Sequence, residues 1–284
     1  MTKSPQIYQI YRSLLKKYGR PRRRTPKYNK LTTGQAGSLR GGPKDFWEKW
    51  CKRRKTKEDK EEIVIGAILT QRTNWRNVEL ALRNLKREKV LSIKGVYQLG
   101  NPEGMSPRSR TSGSLRRRST SYGAGKNKIL LGKLIKPSGF YKQKAKRLFQ
   151  LCCFIVKNYG TLEKFFDQDL KTCRRQLLSL YGIGPETADS ILLYAGGKPI
   201  FVSDEYTRRF AKKHHLSRPH SKKFLLRGKK FSYFRAKRGN KVLPKAGSYD
   251  YLQQLFQQNL PKNTKIYQDF HAMIVLEGKK GNKI

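Results

Sequence analysis

Apolar residues recur at helical spacing along most of the chain. Between residues 5 and 18, Ile7, Ile10, Tyr11, Leu14, Leu15 and Tyr18 share a helix face; Ser4 is placed to cap that helix, Pro5 suits its first turn and Gly19 suits its end. From Glu61 the sequence "EEIVIGAILTQRTNWRNVELALRNLKRE" predicts two helices. Ile65, Ile68 and Leu69 lie on one face of the first, residues 71–74 form a break, and Val78, Ala81, Leu82 and Leu85 lie on one face of the second. The stretch "IKPSGFYKQKAKRLFQLCCFIVKNYG" predicts a turn at 137–139 and then a helix through Leu148, Leu151, Cys152 and Ile155. Asp167 is placed to cap another helix, on which Leu170, Cys173, Leu177 and Leu180 share a face. Two further helices, "YDYLQQLFQQNL" and "YQDFHAMIVLEG", close the pattern. Short β-branched runs of period two are lacking, so the predicted class is all-α.

Between these helices the composition changes. Residues 20–44 are rich in Arg, Gly and Pro, and no acidic residue precedes Asp45. Residues 101–128 carry six Ser, four Gly, two Pro and seven Lys/Arg, too little apolar surface to offset the entropy of ordering them, and are expected to be disordered. Residues 218–247 hold eleven Lys/Arg and no acid, and read as a further insertion. The 284 residues suffice for one large domain or two small ones. Over the whole chain 65 basic residues face 19 acidic ones, a formal charge of +46, and the excess persists outside the three basic stretches. Such self-repulsion is offset by a polyanionic partner, of which nucleic acid is the commonest. An anionic membrane fits less well. No apolar run approaches the roughly 18 residues of a spanning helix, and no lipidation motif or export signal is recognisable. The four cysteines, Cys51, Cys152, Cys153 and Cys173, show no C-x-x-C spacing and no partnering histidines. They read as thiols of a reducing, intracellular compartment, with no metal site.

One segment stands apart, "LYGIGPETADSILLYAGGKPIFVSD" (180–204), which is almost free of basic residues. A helix ending near Leu180, a tight turn over 181–184 and a helix opened by Pro185 make a helix–hairpin–helix at 171–195. Gly182 and Gly184 permit positive φ and close approach by a backbone, and with Ile183 and Thr187 they sit where backbone N–H groups and the positive end of the second helix can seat one phosphate at a fixed distance. A Gly/Pro loop then leads to Asp204. Taken alone, Asp204 is an N-cap for the helix that follows, and Glu205 a charge in its first turn.

The hairpin "GIG", the helix "PETADSILLYA", the Gly/Pro loop and an Asp at this distance resemble the helix–hairpin–helix-Gly/Pro-Asp superfamily of DNA N-glycosylases, to which endonuclease III belongs. Three other stretches agree in order. "GAILTQRTNW" (66–75) is similar to the family's strand-entering loop, with Gln71 where a residue fills the gap left by an extruded base. "IKPSGFYKQKAKRL" (135–148) is similar to the segment whose "G-x-Y-x-x-K-A" contacts the DNA backbone through Lys144. "FHAMIVLEGK" (270–279) resembles the terminal helix.

The resemblance implies two helical subdomains with a cleft between them. One is a helical-barrel domain over 45–196 that includes the hairpin; the other is built from both chain ends, 1–44 and 197–284. It implies Asp204 as the catalytic carboxylate, double-stranded DNA containing damaged bases as the partner, a monomer, and a location on DNA, whether nucleoid or nucleus. Trp47, Trp50, Trp75 and Tyr206 are candidate stacking surfaces for the extruded base, although each aromatic equally suits a core. His271 could face the site or serve as a core histidine. The nucleophilic lysine of the bifunctional members is replaced by Glu186, which cannot form an imine. The cysteines that hold the family's iron–sulfur cluster have no counterpart after His271, so no cofactor is expected. The stretch "GPETADSILLYA", with its acid at the lysine position, resembles the endonuclease III-related branch containing 3-methyladenine glycosylases and implies release of an alkylated purine. Two alternatives stay open at this point: a glycosylase with lyase activity through another lysine, and a non-catalytic protein that keeps the hairpin for DNA binding alone.

Overall fold

The computed structural model describes residues 6–20, 47, 49–100, 130–216, 245 and 247–280. Apart from residues 20, 245 and 247, the three basic stretches lie outside the described residues, as do the expected cap Ser4 and Pro5. All regular structure among the described residues is helical. None of these helices is long and apolar enough to cross a membrane. The chain divides into a continuous unit, residues 32–198, and a split unit, residues 1–31 with 199–284.

The continuous unit is built on α2 (Lys57–Leu69). Its start lies upstream of the apolar pattern: Thr56 accepts from the Asp59 N–H while the Asp59 carboxylate accepts from the Thr56 N–H, a reciprocal cap that satisfies two donors. Every residue from 63 to 69 is buried, so the second half of α2 is enclosed all round and does not show one apolar face to the core. Around it pack α3 (Trp75–Arg87), α5 (Tyr141–Tyr159) and the hairpin helices, and α4 (Ile93–Gly100) lies against α5. The short α6 (Leu162–Phe166) ends at Asp167, and α7 (Leu170–Ser179) is capped by Asp169, whose carboxylate accepts from the N–H groups of Lys171 and Thr172. The expected cap Asp167 therefore belongs to the preceding helix. Two aspartates two residues apart both suit a cap, and the register is decided by Phe165 and Phe166, which α6 buries. Helix α8 (Pro185–Ser190) runs on into a wider turn, Ile191–Ala195, where Gly196 N–H reaches Ile191 O at 3.0 Å.

In the split unit, α11 (Thr264–Lys280) packs against α1 (Gln6–Tyr18) and α9 (Glu205–Lys213), and α10 (Tyr249–Asn259) also meets both of those helices. The buried face of α1 is Ile7, Tyr11, Leu14 and Tyr18, as the periodicity predicts. Phe201 centres the core: it stacks on Phe256 at 4.6 Å, and its backbone is held by Gln253 and Gln257. That anchoring fixes the strand-like approach of the chain to Asp204.

Candidate active site

The hairpin lies in the continuous unit. Its two helices are pinned by Arg174 of α7, which makes a two-pronged bond (2.7 and 3.2 Å) to Asp189 of α8. The Asp189 side chain is completely buried, so this ion pair is made by a carboxylate shielded from water. In the turn, Ile183 departs from the expected phosphate seat: its N–H is spent on Leu180 O (3.1 Å) and its side chain is buried as a plug. Gly182 has φ +74°, and the Arg147 side chain occupies the space a Cβ would need. Gly184 is different. Its φ of −87° is open to any residue, and a Cβ there would meet nothing within 4 Å.

Gln71, in the break between α2 and α3, reaches the same hairpin. Its Nε2 donates to Gly182 O and to Thr187 Oγ1, both at 3.0 Å, and its Oε1 accepts from Arg147 Nη1 at 2.7 Å. Three residues expected at the DNA surface, Gln71, Gly182 and Thr187, are thus in direct contact. Lys144 corrects the expectation made for it. The side chain is about as buried as a core leucine, and its ammonium donates to Leu69 O (2.7 Å) and Ser138 O (2.6 Å). Burial, together with the neighbouring Arg147 charge, pushes the ammonium down to about 8. Lys144 ties the end of α2 to the turn at 136–140 from within, and its ammonium is spent on their carbonyl groups. The sequence reading missed Phe140. It is 58% exposed and takes the left-handed backbone conformation (φ +45°) in the loop that Lys144 holds. Non-glycine residues in this conformation cluster at binding and active sites. The only sequence signal was an aromatic residue between a loop glycine and a helix.

Asp204 heads α9 in the split unit. It is the N-cap: Oδ1 accepts from the Thr207 N–H at 2.8 Å. Oδ2 lies 3.4 Å from Nε2 of His271 on α11, beyond a well-formed hydrogen bond. The side chain is 13% exposed. Burial favours its neutral form, but the neighbouring His271 and the Thr207 N–H outweigh that, holding the carboxyl below its ordinary range. Asp204 is therefore a placed anion. Lys279, also on α11, is half-buried; desolvation lowers its ammonium, and the Asp204 charge opposes that shift. Glu205 is the first-turn charge expected, paired with Arg208 and Arg209 and pulled to about 2 by the Arg208 bond first of all.

The four candidate stacking aromatics separate. Trp47 and Trp50 are buried core residues that meet each other and Tyr194. Trp75, half-buried at the start of α3, lies edge-on to Trp50, and Gly66 of α2 has both indoles over it. Tyr206 belongs to the split unit, where its ring lies on Gly278. Glu186 is exposed on the first turn of α8.

A family model described as "HhH-GPD superfamily base excision DNA repair protein" matches residues 128–230, which contain the hairpin and Asp204. The protein named "Putative DNA repair glycosylase MJ1434" of Methanocaldococcus jannaschii is 36% identical over 225 residues, 78% of each chain. The endonuclease III of Thermotoga maritima is 26% identical over 153 residues, 54% of this chain and 55% of that one. Among solved structures, the H. pylori 3-methyladenine DNA glycosylase MagIII bound to 1,N6-ethenoadenine superposes over 98% of this chain and 99% of its own, with a TM-score of 0.58 at 22% identity. A trapped covalent endonuclease III–DNA intermediate covers 99% and 88%, with a TM-score of 0.54 at 15% identity. Kinship over most of the length, carried through the hairpin and its aspartate, makes this chain a DNA glycosylase of the HhH-GPD superfamily of base excision repair proteins.

Proposed function

We propose that the protein is a monofunctional glycosylase that binds double-stranded DNA and releases an alkylated purine from a nucleotide turned out of the helix. The observation that carries this reading is Asp204, a carboxylate kept ionised at low exposure, anchored through Oδ1 at the head of α9 with Oδ2 facing His271. Breaking the N-glycosidic bond sends its electron pair to the base and leaves positive charge on the sugar. A fixed anion stabilises that charge, and it accepts a proton as water bonds to the sugar carbon. An alkylated purine is already cationic and departs neutral, so no acid is needed on the base. Extrusion is least costly for damaged bases. Gln71 fills the gap left behind, and the hairpin takes a backbone phosphate at Gly184, where neither conformation nor packing calls for glycine. Phe140 adds an exposed aromatic to the DNA-facing surface. Glu186 at the lysine position supports hydrolysis without an imine. The fold is one that MagIII, a 3-methyladenine DNA glycosylase, also has.

We extend the proposal to a chain without an iron–sulfur cluster. The four cysteines do not fit one: Cys51, Cys152 and Cys173 are fully buried in separate elements, and Cys173 Sγ lies 3.3 Å from Phe165 O as a donor. Among the described residues no three potential ligands are grouped. The second reading, a strand-cleaving lyase, is favoured by Lys279, a half-buried amine within the field of Asp204.

The test begins with duplexes that each carry one altered base, among them N7-methylguanine and 1,N6-ethenoadenine. Release is then compared for wild type and Asp204→Asn on the best of them. Asparagine caps α9 nearly as well as aspartate, so the fold should hold while single-turnover release falls roughly 30- to 1000-fold through loss of the charge. Equal rates would leave Asp204 as a cap alone and return the hairpin to DNA binding. Borohydride added to the same reactions should trap no protein–DNA adduct; trapping that Lys279→Met abolishes would establish the lyase instead.

A further inference from the structure

The Gln71 side chain is committed within the continuous unit, and its amide has one possible orientation. Gly182 O can only accept and the Arg147 guanidinium can only donate, so Nε2 must face the hairpin and Oε1 must face α5. Thr187 Oγ1 takes the remaining N–H. Three elements therefore converge on one amide: the loop after α2, the hairpin, and α5 through Arg147. Arg147 can stand there because residue 182 has no side chain; a Cβ would overlap its Nε, Cδ and Cγ. Its guanidinium also lies 5.8 Å from the centre of the exposed Tyr181 ring. The buried Arg147 Nε has no hydrogen-bond partner among the described residues. An unpaired buried donor is costly, and here it accompanies the placement of Nη1 on Gln71.

We propose that Arg147 is a positioning residue for Gln71. It fixes the orientation of the amide and docks the loop at 70–74 onto the hairpin, so that gap filling and hairpin engagement occur as one preassembled event. The proposal rests on Gln71 as the residue that fills the gap. A side chain entering a stacked duplex must hold two separated bases apart, and one already ordered loses less freedom at that moment. Arg147 should then matter only where a paired duplex has to be opened and held.

The experiment measures single-turnover release of the best base from two substrates: a fully paired duplex, and the same strand with that base in an unpaired loop. Wild type, Gln71→Ala, Arg147→Met, Arg147→Lys and the double variant Gln71→Ala with Arg147→Met are compared. On the paired duplex Arg147→Met and Gln71→Ala should each slow release by roughly tenfold, and the double variant should be no slower than the slower single one, as for two residues acting through one contact. On the loop substrate all should stay near the wild-type rate. Arg147→Lys keeps a donor and a stem over Gly182 and should recover part of the loss; it carries the test if Arg147→Met does not fold. Additive losses in the double variant, or equal slowing on both substrates, would overturn the proposal. A wild-type rate for Gln71→Ala on the paired duplex would instead overturn gap filling by Gln71, and the positioning role with it.

Discussion

Gly182 and Gly184 stand one residue apart in the hairpin turn, and substitution separates their tasks. Alanine at 182 must adopt a left-handed backbone and displace Arg147, so Gly182→Ala should lower stability by about 1–3 kcal/mol through strain and the displaced side chain. Alanine at 184 has an ordinary backbone and open space and costs about 1 kcal/mol at most, as a poorer cap for α8. Yet a methyl group there stands in the way of an approaching phosphate. Gly184→Ala should therefore unfold in urea close to wild type while binding duplex DNA several-fold more weakly, the reverse of the Gly182→Ala pattern. Equal affinity would take Gly184 out of the interface. The spacing G-x-G names both glycines but cannot assign them, because the difference lies in Arg147, thirty-five positions upstream. Lys144 teaches the same lesson. Its motif was legible, but its inward turn onto two carbonyl groups is a tertiary fact. Asp204 was legible both as a cap and as a candidate catalytic carboxylate, and the structure shows the cap.

At the scale of elements, α1 is tied to α11 through a charged cluster. The Tyr18 hydroxyl donates to the Glu277 carboxylate, with Lys17 at 3.0 Å and Lys213 at 3.6 Å from the same group. Burial, reinforced by that hydrogen bond, raises the hydroxyl from 10.0 to about 12. A raised value means the native state keeps a proton that the unfolded chain has lost. The contribution of Tyr18 is then complete below about pH 10 and disappears as the pH rises through about 12. Tyr18→Phe should cost about 1 kcal/mol at neutral pH and reduce the alkaline fall in urea stability over that window. A fall of unchanged size would assign it to Tyr206 or Tyr267, whose hydroxyls burial also raises. Helical periodicity was enough to find α1, α3, α5 and the hairpin, because each shows one apolar face to a neighbour. It placed the start of α2 too late because residues 57–62 are all charged, and their only helix signal is the Thr56–Asp59 cap.

For the whole molecule the dominant quantity is charge, 65 basic residues against 19 acidic ones. Deleting residues 101–128 removes seven cationic side chains and leaves the hairpin and Asp204 intact. Affinity for undamaged duplex should fall, and its log–log dependence on salt should flatten by up to about 0.9 per lost phosphate contact. Single-turnover release at saturating enzyme should stay unchanged; a large drop in that rate would place the segment in the active site. The division of the chain has a consequence of another kind. The continuous unit can complete its core once residue 198 has emerged from the ribosome, whereas the split unit needs α1 to meet α11, more than two hundred residues later. Such late closure is slow. Throughout synthesis α1 therefore waits with Ile7, Tyr11 and Leu14 uncovered, an apolar stripe for which chaperones can compete until α11 arrives.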